Sequence, residues 1–213
     1  MARILITSGP TRQHLDPVRY LTNASSGRMG AALAQAALDL GHEVIVVSGP
    51  VEVEYPAGAT IVPVVSTEEM LDRSREAFQQ CDGLISAAAP CDYRPQHVEA
   101  DKISKTGEPL LLELVETDDV VATLGAVKGS RWVVGFALET EDHRLRALAK
   151  LERKCCDLIV SNGVEAMDSL ENRVEILDPT GKVIHAFAGR KVQIAQQILS
   201  VIQDRLVEAT VGR

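Results

Sequence analysis

A loop near the start of the chain carries side chains suited to binding a phosphate and stabilising a negatively charged oxygen. It contains the guanidinium of Arg19, the carboxamide of Asn23 and the hydroxyls of Ser25 and Ser26, and Gly27 follows just before an alanine-rich helical run. The N-terminus of a helix attracts phosphate because its first N–H groups have no partner within the helix. We therefore predict a site for a phosphorylated ligand here, with room for chemistry beside it.

Further charged side chains that could bind a nucleotide lie in later segments. Asp92 follows a run that reads as a buried strand, and Lys102 and Lys105 lie in the long loop after it. Lys150 and Lys154 are four residues apart in a predicted helix, so they share one face and can converge on one phosphate chain. Taken alone, these lysines are also consistent with an ordinary solvated surface.

Several familiar sites are excluded by their missing motifs. The glycine fingerprint of nicotinamide enzymes is absent, because Gly9 is followed by Gly27 and Gly30 only much later. The second predicted strand ends in Ser48-Gly49-Pro50, without an acid for a ribose or an arginine for a 2′-phosphate. The sequence also contains no Tyr-x-x-x-Lys pair, no GxxxxGK[ST] loop and no histidine pair at zinc-ligand spacing.

Strand-like and helix-like runs alternate along most of the chain, which predicts an α/β fold with a Rossmann-like, doubly wound and mostly parallel sheet. Ligands bind at the carboxyl ends of the strands in such sheets, so the loops described above should cluster in space. One helix is predicted to open at Thr67-Glu68-Glu69 with Thr67 or Ser66 as its N-cap. Another is predicted to start at Thr117 or Asp118, and a third to span Leu145–Lys154. The predicted strands are Arg3–Ile6, Glu43–Val47, Thr60–Val65, Leu84–Ala89, Leu110–Val115, Trp132–Ala137 and Leu158–Val160.

The alternation ends near the C-terminus. Two strand-like runs, Arg173–Leu177 and Lys182–Phe187, flank a Pro- and Gly-containing segment suited to a type I turn, which predicts a C-terminal β-hairpin over residues 173–187. No linker or repeat interrupts the chain, so we predict a single domain, residues 1–213. A final helix, roughly Arg190–Leu206, has an apolar stripe of Val192, Ala195, Ile198, Leu199 and Ile202.

Charge and cysteine content narrow the class of protein further. The net charge of −8 argues against a nucleic-acid surface, and no apolar run approaches the roughly 18 residues of a membrane span. The cysteines form no CxxC pair, which indicates free thiols in a reducing compartment, and Cys81, Cys155 and Cys156 are predicted to be small buried side chains. We expect a cytoplasmic protein with no nucleic-acid and no membrane partner.

Several of these segments together resemble the phosphopantothenoylcysteine synthetase family, also called phosphopantothenate–cysteine ligase. The first block, DPVRY followed by N-x-SSG, is specific, and the block GFA-x-ET supports it independently. The resemblance extends from Arg3 to about Asn162 and continues more loosely to the last helix. It rests on Asp16–Asn23, Ser25–Gly30, Asp92–Pro95, Lys102–Lys105, Gly135–Thr140, Lys150 and Lys154.

The resemblance implies a ligase that joins 4′-phosphopantothenate to L-cysteine in coenzyme A biosynthesis. Bacterial members of the family use CTP with Mg²⁺: the carboxylate attacks the α-phosphate to give an acyl-cytidylate and pyrophosphate, and the cysteine amine then releases CMP. In many bacteria this domain is fused behind a flavin-dependent decarboxylase, so the chain is expected to work with such an enzyme or to be excised from one. The resemblance leaves the metal ligands undefined.

Roles for individual residues follow from the same resemblance. Asn23, Arg19 and Lys102 are the implied catalytic residues, with Asn23 at the acyl group and Lys102 at the triphosphate. Asp92 is implied to read the cytosine base. The implied phosphopantothenate site contains Arg19, Asn23, Ser25, Ser26 and Gly27, and the implied nucleotide site contains Asp92, Lys102, Asp118, Asp119, Val120, Val121, Phe136, Lys150 and Lys154.

The chain departs from the family pattern at three places. The family commonly has Ala-Val-Ala-Asp-Tyr where this chain has Ala89-Pro90-Cys91-Asp92-Tyr93, Lys-Ile-Lys-Lys where it has Lys102–Lys105, and Asn-Pro-Asp where it has Thr117-Asp118-Asp119. Two alternatives also stay open: a nucleotide-binding module without catalysis, and a divergent nicotinamide-dependent reductase on the same fold.

A homodimer is the expected assembly. The hairpin has an apolar face of Val174, Ile176, Val183 and Ile184, and little chain remains to cover it. The family is dimeric with such an extension at the subunit contact, so the hairpin is predicted to pack against, or add strands to, a second copy.

Overall fold

A mostly parallel sheet of eight strands forms the centre of the fold in the computed structural model, which describes residues 1–139, 151–163 and 172–208. The α/β class and the C-terminal antiparallel strands are as predicted. The strands are β1 (Arg3–Ser8), β2 (Arg12–His14), β3 (Tyr20–Thr22), β4 (Glu43–Ser48), β5 (Thr60–Pro63), β6 (Gly83–Ser86), β7 (Tyr93–Pro95), β8 (Leu114–Glu116), β9 (Trp132–Glu139), β10 (Leu158–Gly163), β11 (Asn172–Leu177) and β12 (Val183–Gly189).

The order of the strands creates a switch point in the middle of the main sheet. The spatial order is β12-β11-β10-β9-β6-β1-β4-β5, with parallel pairing from β10 to β5 and antiparallel pairing of β10, β11 and β12. From β1 the chain builds outward through β4 and β5, and it then returns to build the other half through β6, β9 and β10. Loops leaving β1 and β6 therefore diverge and open a crevice, which is where open α/β sheets bind ligands.

Helices cover both faces of the sheet because successive side chains of each strand point to opposite sides. On β1, Ile4 and Ile6 pack into one apolar cluster and Leu5 into the other, and all three are fully buried. The first cluster is closed by the first and last helices, and the second by the two helices between them. The helices are α1 (Arg28–Asp39), α2 (Thr67–Phe78), α3 (Val120–Ala126) and α4 (Lys191–Ile202), which continues as a π-helical turn over Gln203–Val207.

Two helix starts and one strand test the local sequence rules. Ser66 caps α2 as predicted, because its side chain accepts a hydrogen bond from the Glu69 N–H at 3.1 Å. The predicted start of α3 at Thr117 or Asp118 is wrong, since Asp119 is the N-cap. The predicted fifth strand, Leu110–Val115, is also wrong: only residues 114–116 form a strand, β8, and it pairs with β7 outside the main sheet.

The C-terminal hairpin forms as predicted, but its apolar face is covered within the chain. β11 pairs with β10, so the hairpin extends the main sheet, and Val174 and Ile176 are 0% and 1% exposed beneath α4. The prediction that too little chain remained to cover this face is therefore wrong. Val192, assigned to the apolar stripe of the last helix, is 58% exposed, and Ile194 is buried in its place.

Two further predictions concern the segment around the Leu145–Lys154 helix. Most of it, including Lys150, lies outside the described residues; within them, residues 151–153 are helical. Cys156 is buried as predicted, and its burial raises the pKa of its thiol to about 12. The buried position predicted for Cys155 is wrong, because this residue is exposed at a tight bend where its φ is 51°.

Candidate functional site

The crevice at the switch point is built from the loops that follow β1 and β6. The pairing of these strands continues past their ends, because the Ala89 N–H donates to the Gly9 carbonyl at 2.9 Å. Glycine at position 30 lets α1 approach the end of β1, where any larger side chain would overlap Ser8. The start of α1 is thereby fixed close to the crevice.

A cleft of about 390 Å³ lies beside the end of β6. It collects most of the residues predicted to bind the nucleotide: Asp92, Asp118, Asp119, Val120, Val121, Phe136 and Lys154. Carboxylates from Asp92 and Asp118 face solvent there, whereas Phe136 and Lys154 are half-buried. The cleft therefore offers hydrogen-bond acceptors, an aromatic ring and an ammonium group within one volume.

Asp119 links the cleft to the fold of α3. One carboxylate oxygen accepts the Ala122 N–H at 3.0 Å, which caps the helix, and the other lies 3.2 Å from the Lys154 ammonium. The side chain of Lys154 is only 19% exposed, so this pair holds its ammonium at the wall of the cleft. Asp119 thus acts first as a cap and as the partner of Lys154.

Asn23 lies at the mouth of the same cleft. Its carboxamide nitrogen donates to the carbonyl oxygens of Ala89 at 3.2 Å and Pro90 at 2.8 Å, and Pro90 lines the cleft. Both N–H groups of the amide are therefore used to join the first loop to the loop that carries Asp92. Pro90 takes part in this contact through its carbonyl, the backbone hydrogen-bonding group that proline retains.

Arg19 is part of a cluster built around the buried carboxylate of Asp16. The Arg19 guanidinium donates to Asp16 at 2.7 Å and to the Ile103 carbonyl at 3.0 Å, while the Ile103 N–H donates to Asp16 at 3.1 Å. Burial by itself raises the pKa of Asp16, but the N–H groups of Val18, Ile103 and Arg19 and the positive charge of Arg19 together lower it. The cluster fixes the backbone next to Lys102.

Lys102 does not line the cleft that contains Asp92. It is exposed and borders a second cavity of about 420 Å³ with Leu15, His97, Ile103 and Leu110–Leu112 among its walls. The structure therefore separates Lys102 from the predicted nucleotide residues that line the first cleft, and the Arg19–Asp16 cluster holds the backbone of Ile103 beside it.

Among the described residues no side chain caps α1, so the N–H groups of its first turn are left open. Gly27 is the N-cap with φ of 72°, and the Ser25 N–H donates to the Asn23 carbonyl at 2.9 Å. Ser26 is exposed and Ser25 is half-buried beside them. The arrangement leaves the hydroxyls of Ser25 and Ser26 beside the positive end of a helix, as phosphate binding requires.

A group of buried threonines lies behind Asp92, and these residues were not predicted from the sequence. Thr11 and Thr67 are 0% and 1% exposed, and both contact the peptide groups of Cys91. Burial raises the pKa of the Cys91 thiol, which donates to the Thr11 carbonyl at 3.4 Å, so Cys91 serves packing in its neutral form. The available signal was a threonine in the short loop after a buried strand, since Thr11 follows β1 by three residues.

Residues 1–139, 151–163 and 172–208 contain neither a candidate metal cluster nor a membrane-spanning helix. Within these ranges, no three His, Cys, Asp or Glu side chains are grouped so that they could hold a metal ion. The same ranges contain no helix with the length and apolar character needed to span a bilayer.

Comparison with known proteins identifies the family. A sequence profile described as the DNA/pantothenate metabolism flavoprotein C-terminal domain matches residues 1–206. The chain is 40% identical over 207 residues to the coenzyme A biosynthesis bifunctional protein CoaBC of Vibrio vulnificus (strain YJ016), covering 94% of this chain and 51% of that protein. It is 43% identical over 164 residues to the protein of the same name from Bacillus subtilis (strain 168), covering 76% of this chain and 40% of that protein.

A solved structure agrees with this assignment. The crystal structure of the C-terminal domain of CoaBC superposes with a TM-score of 0.82 at 37% identity, covering 97% of this chain and 96% of that chain. The present chain spans about half the length of the Vibrio protein that it matches. With a profile that covers nearly the whole sequence, the chain belongs to the DNA/pantothenate metabolism flavoprotein C-terminal domain family.

Proposed function

We propose that this chain is a phosphopantothenate–cysteine ligase that uses CTP and acts in coenzyme A biosynthesis. The observation that carries the proposal is the cleft at the switch point, where Asp92, Phe136 and Lys154 come together in a chain of this family. The products are phosphopantothenoylcysteine, CMP and pyrophosphate.

The exposed carboxylate of Asp92 suits recognition of cytosine. A carboxylate accepts a hydrogen bond from the exocyclic N4 amino group of cytosine, whereas uracil presents a carbonyl oxygen at the same position. The ring of Phe136 provides an apolar wall for a base, and Lys154 places a cation where a phosphate can approach. Within one cleft, the base would therefore contact Asp92 and Phe136, and the phosphates would contact Lys154.

The reaction has two balanced steps. A carboxylate oxygen of phosphopantothenate attacks the α-phosphorus of CTP, and the bond from that phosphorus to pyrophosphate breaks. The cysteine amine then attacks the acyl carbon, the bond to the CMP oxygen breaks, and the nitrogen loses a proton to solvent. Because carboxylate and triphosphate repel each other, Lys154 contributes by neutralising negative charge in the cleft. Lys102 lies outside this cleft, and the same role is assigned to it only by the resemblance.

Mg²⁺ is the implied metal, and the cleft is compatible with it. Magnesium is usually held by one or two carboxylates together with substrate phosphates rather than by a full protein cage. Glu116 and Asp118 are exposed carboxylates at the cleft and are the residues that would hold the ion. When bound, Mg²⁺ offsets the charge of the triphosphate.

The phosphopantothenate is assigned to the loop before α1. Ser25, Ser26 and Gly27 are assigned to its phosphate, and Asn23 and Arg19 to its acyl end. The carboxamide N–H groups of Asn23 already donate to Ala89 and Pro90, so the amide has to turn outward to meet an acyl oxygen. This engagement favours a second candidate function, a nucleotide-binding module without catalysis.

One assay distinguishes the two candidates. Pyrophosphate release is measured with CTP, ATP, GTP and UTP, each with phosphopantothenate and cysteine and with each substrate omitted in turn. The ligase releases pyrophosphate with CTP only when phosphopantothenate is present. A binding module binds CTP without releasing pyrophosphate.

We also propose a partner enzyme and a cellular location for the chain. The matched relatives are named as bifunctional proteins of about twice this length, so we propose that the chain acts with a flavin-dependent decarboxylase or is part of such a fusion. The reduced state of its cysteines suits the cytoplasm.

For a homodimer, the buried Val174 and Ile176 are unsuitable contacts, and we assign the contact to exposed leucines beside the second cavity. Leu110, Leu111 and Leu112 are 58%, 92% and 41% exposed. Light scattering on Leu111→Asp tests this assignment: the variant should be a monomer, and a dimer that persists would exclude the leucine segment as the contact.

A further inference from the structure

The peptide groups of Cys91, the residue before Asp92, are held by three threonine hydroxyls. The Cys91 N–H donates to Thr11 Oγ1 at 2.8 Å. The Cys91 carbonyl accepts from Thr67 Oγ1 at 3.2 Å and from Thr117 Oγ1 at 2.6 Å. The backbone N–H and the backbone carbonyl of Cys91 are therefore both hydrogen-bonded by side chains from elsewhere in the chain.

The direction of every hydrogen bond in this group can be assigned. Each hydroxyl has a single proton, and Thr67 and Thr117 use theirs on the Cys91 carbonyl. The 2.8 Å contact between Thr11 and Thr67 must then be donated by Thr11. The three hydroxyls thus form a closed set in which every proton has an acceptor, which favours one arrangement over alternatives.

The three threonines come from separate parts of the fold. Thr11 lies between β1 and β2, Thr67 is the first residue of α2, and Thr117 lies between β8 and α3. The Thr117 N–H also donates to the Asp92 carbonyl at 2.9 Å, so the backbone is fixed on both sides of the Asp92 side chain. In contrast, the Asp92 carboxylate is exposed and has no hydrogen-bond partner in the part of the chain that the structure describes.

We propose that Thr11, Thr67 and Thr117 form a threonine clamp that positions Asp92, and that Thr117 is a positioning residue for discrimination between CTP and UTP. The inference rests on the proposed function only in taking Asp92 as the group that meets the base.

The physical reason is that discrimination requires a carboxylate that cannot move away. Against uracil, a fixed carboxylate faces a carbonyl oxygen and neither group finds a donor, which penalises UTP. A carboxylate on a mobile segment turns into solvent and escapes this penalty, while its bond to the cytosine amino group also weakens. Loosening the clamp should therefore reduce the preference for CTP without removing the ability to bind a nucleotide.

The test compares Thr117→Val, which keeps shape but loses the hydroxyl, with Thr117→Ser, which keeps the hydroxyl. Calorimetry measures Kd for CTP and for UTP in the presence of Mg²⁺. The parent and Thr117→Ser should favour CTP equally, and Thr117→Val should lower the ratio of Kd for UTP to Kd for CTP by about fivefold, the equivalent of one net hydrogen bond.

Thr180→Val is the matched control. It removes a hydroxyl that donates at 2.6 Å to Asp178 in the turn of the C-terminal hairpin, far from the clamp in the chain, and it should leave the ratio unchanged. If Thr117→Val fails to fold, Thr117→Ala replaces it. An unchanged ratio in the hydroxyl-free variant, or equal loss in Thr117→Ser, overturns the proposal.

The outcome for the clamp is separate from the outcome for the ligase. If the parent binds CTP selectively and Thr117→Val reduces that selectivity, the clamp stands even when no pyrophosphate is released with phosphopantothenate and cysteine. If the parent binds CTP and UTP equally, the clamp is rejected as a device for base selection, whatever the turnover.

Discussion

Asp92→Asn offers a sharp test of how the base is read. The substitution preserves size and removes one negative charge from a side chain that is exposed and without a hydrogen-bond partner among the described residues. We therefore expect the fold and the melting temperature to be unchanged. Any effect on nucleotide choice then reports on the contact with the base.

The expected magnitude follows from hydrogen-bond pairing. With cytosine, the asparagine oxygen still accepts from the amino group, so CTP loses only the difference between a charge-assisted and a neutral bond, about 1 kcal/mol. With uracil, the amide nitrogen now donates to the carbonyl oxygen, which removes an unpaired contact worth about 1–3 kcal/mol. Together these terms lower the preference for CTP over UTP by about 100-fold.

The assay is the ratio of kcat/KM for CTP to that for UTP, measured by pyrophosphate release. Asp118→Asn is the matched control, because it removes the same charge from another exposed carboxylate of the same cleft. It should change kcat/KM for both nucleotides by the same factor. The role of Asp92 in reading the base is excluded if Asp92→Asn retains the parental ratio of kcat/KM for CTP to that for UTP, or if Asp118→Asn changes this ratio equally.

The remaining predictions concern both substrates and the fold. Asn23→Asp should raise the activation barrier to product formation by about 3 kcal/mol, which slows the rate by about 100-fold. Acyl-cytidylate should still form in a quenched reaction without cysteine. Product formation at the parental rate would exclude Asn23 as the acyl-site donor. The resemblance implies that Lys102 meets the triphosphate, so Lys102→Gln should slow pyrophosphate release; an unchanged rate would exclude this role and agree with the position of Lys102 outside the cleft. Val174→Asp should lower the free energy of unfolding by about 4 kcal/mol, since it buries a charge in a fully enclosed position, and a parental melting curve would contradict this burial. The pKa of Asp16 is lowered in the folded protein, so its carboxylate contributes stability above its ordinary pKa of 3.8, and this contribution declines as the pH falls through the lower folded value. Asp16→Asn should therefore flatten the dependence of the free energy of unfolding on pH in this acidic range. A profile identical to that of the parent would argue against the Asp16 cluster.

The strands of the main sheet could be predicted because buried parallel strands are short apolar runs. The same signal failed at Leu110–Val115, which is equally apolar but has no neighbour in the main sheet. Leu111 is 92% exposed, so composition alone does not tell a strand from an apolar surface segment. The hairpin was predicted from its turn, but its cover by α4 depends on pairing between β10 and β11, which the sequence does not specify locally.

The candidate site was predicted in its residue types and only partly in its arrangement. Asp92 and Lys154, which the resemblance assigns to one nucleotide site, both line one cleft. It could not show that the Asn23 amide donates to the Ala89 and Pro90 carbonyls, because these partners are more than 60 positions away in the chain and carry no side-chain signal. Hydrogen bonds to backbone carbonyls are set by the fold as a whole, and the threonine clamp was missed for the same reason.

As a ligase, this chain would couple cleavage of CTP to activation of the phosphopantothenate carboxylate. The most direct test of this coupling is pyrophosphate release by the purified protein with CTP and Mg²⁺, with and without phosphopantothenate, followed by mass spectrometry after cysteine is added. We expect pyrophosphate release only with phosphopantothenate, followed by CMP and phosphopantothenoylcysteine in equal amounts once cysteine is added. Pyrophosphate release that does not depend on phosphopantothenate, or no release from a protein that binds CTP, would contradict this coupling.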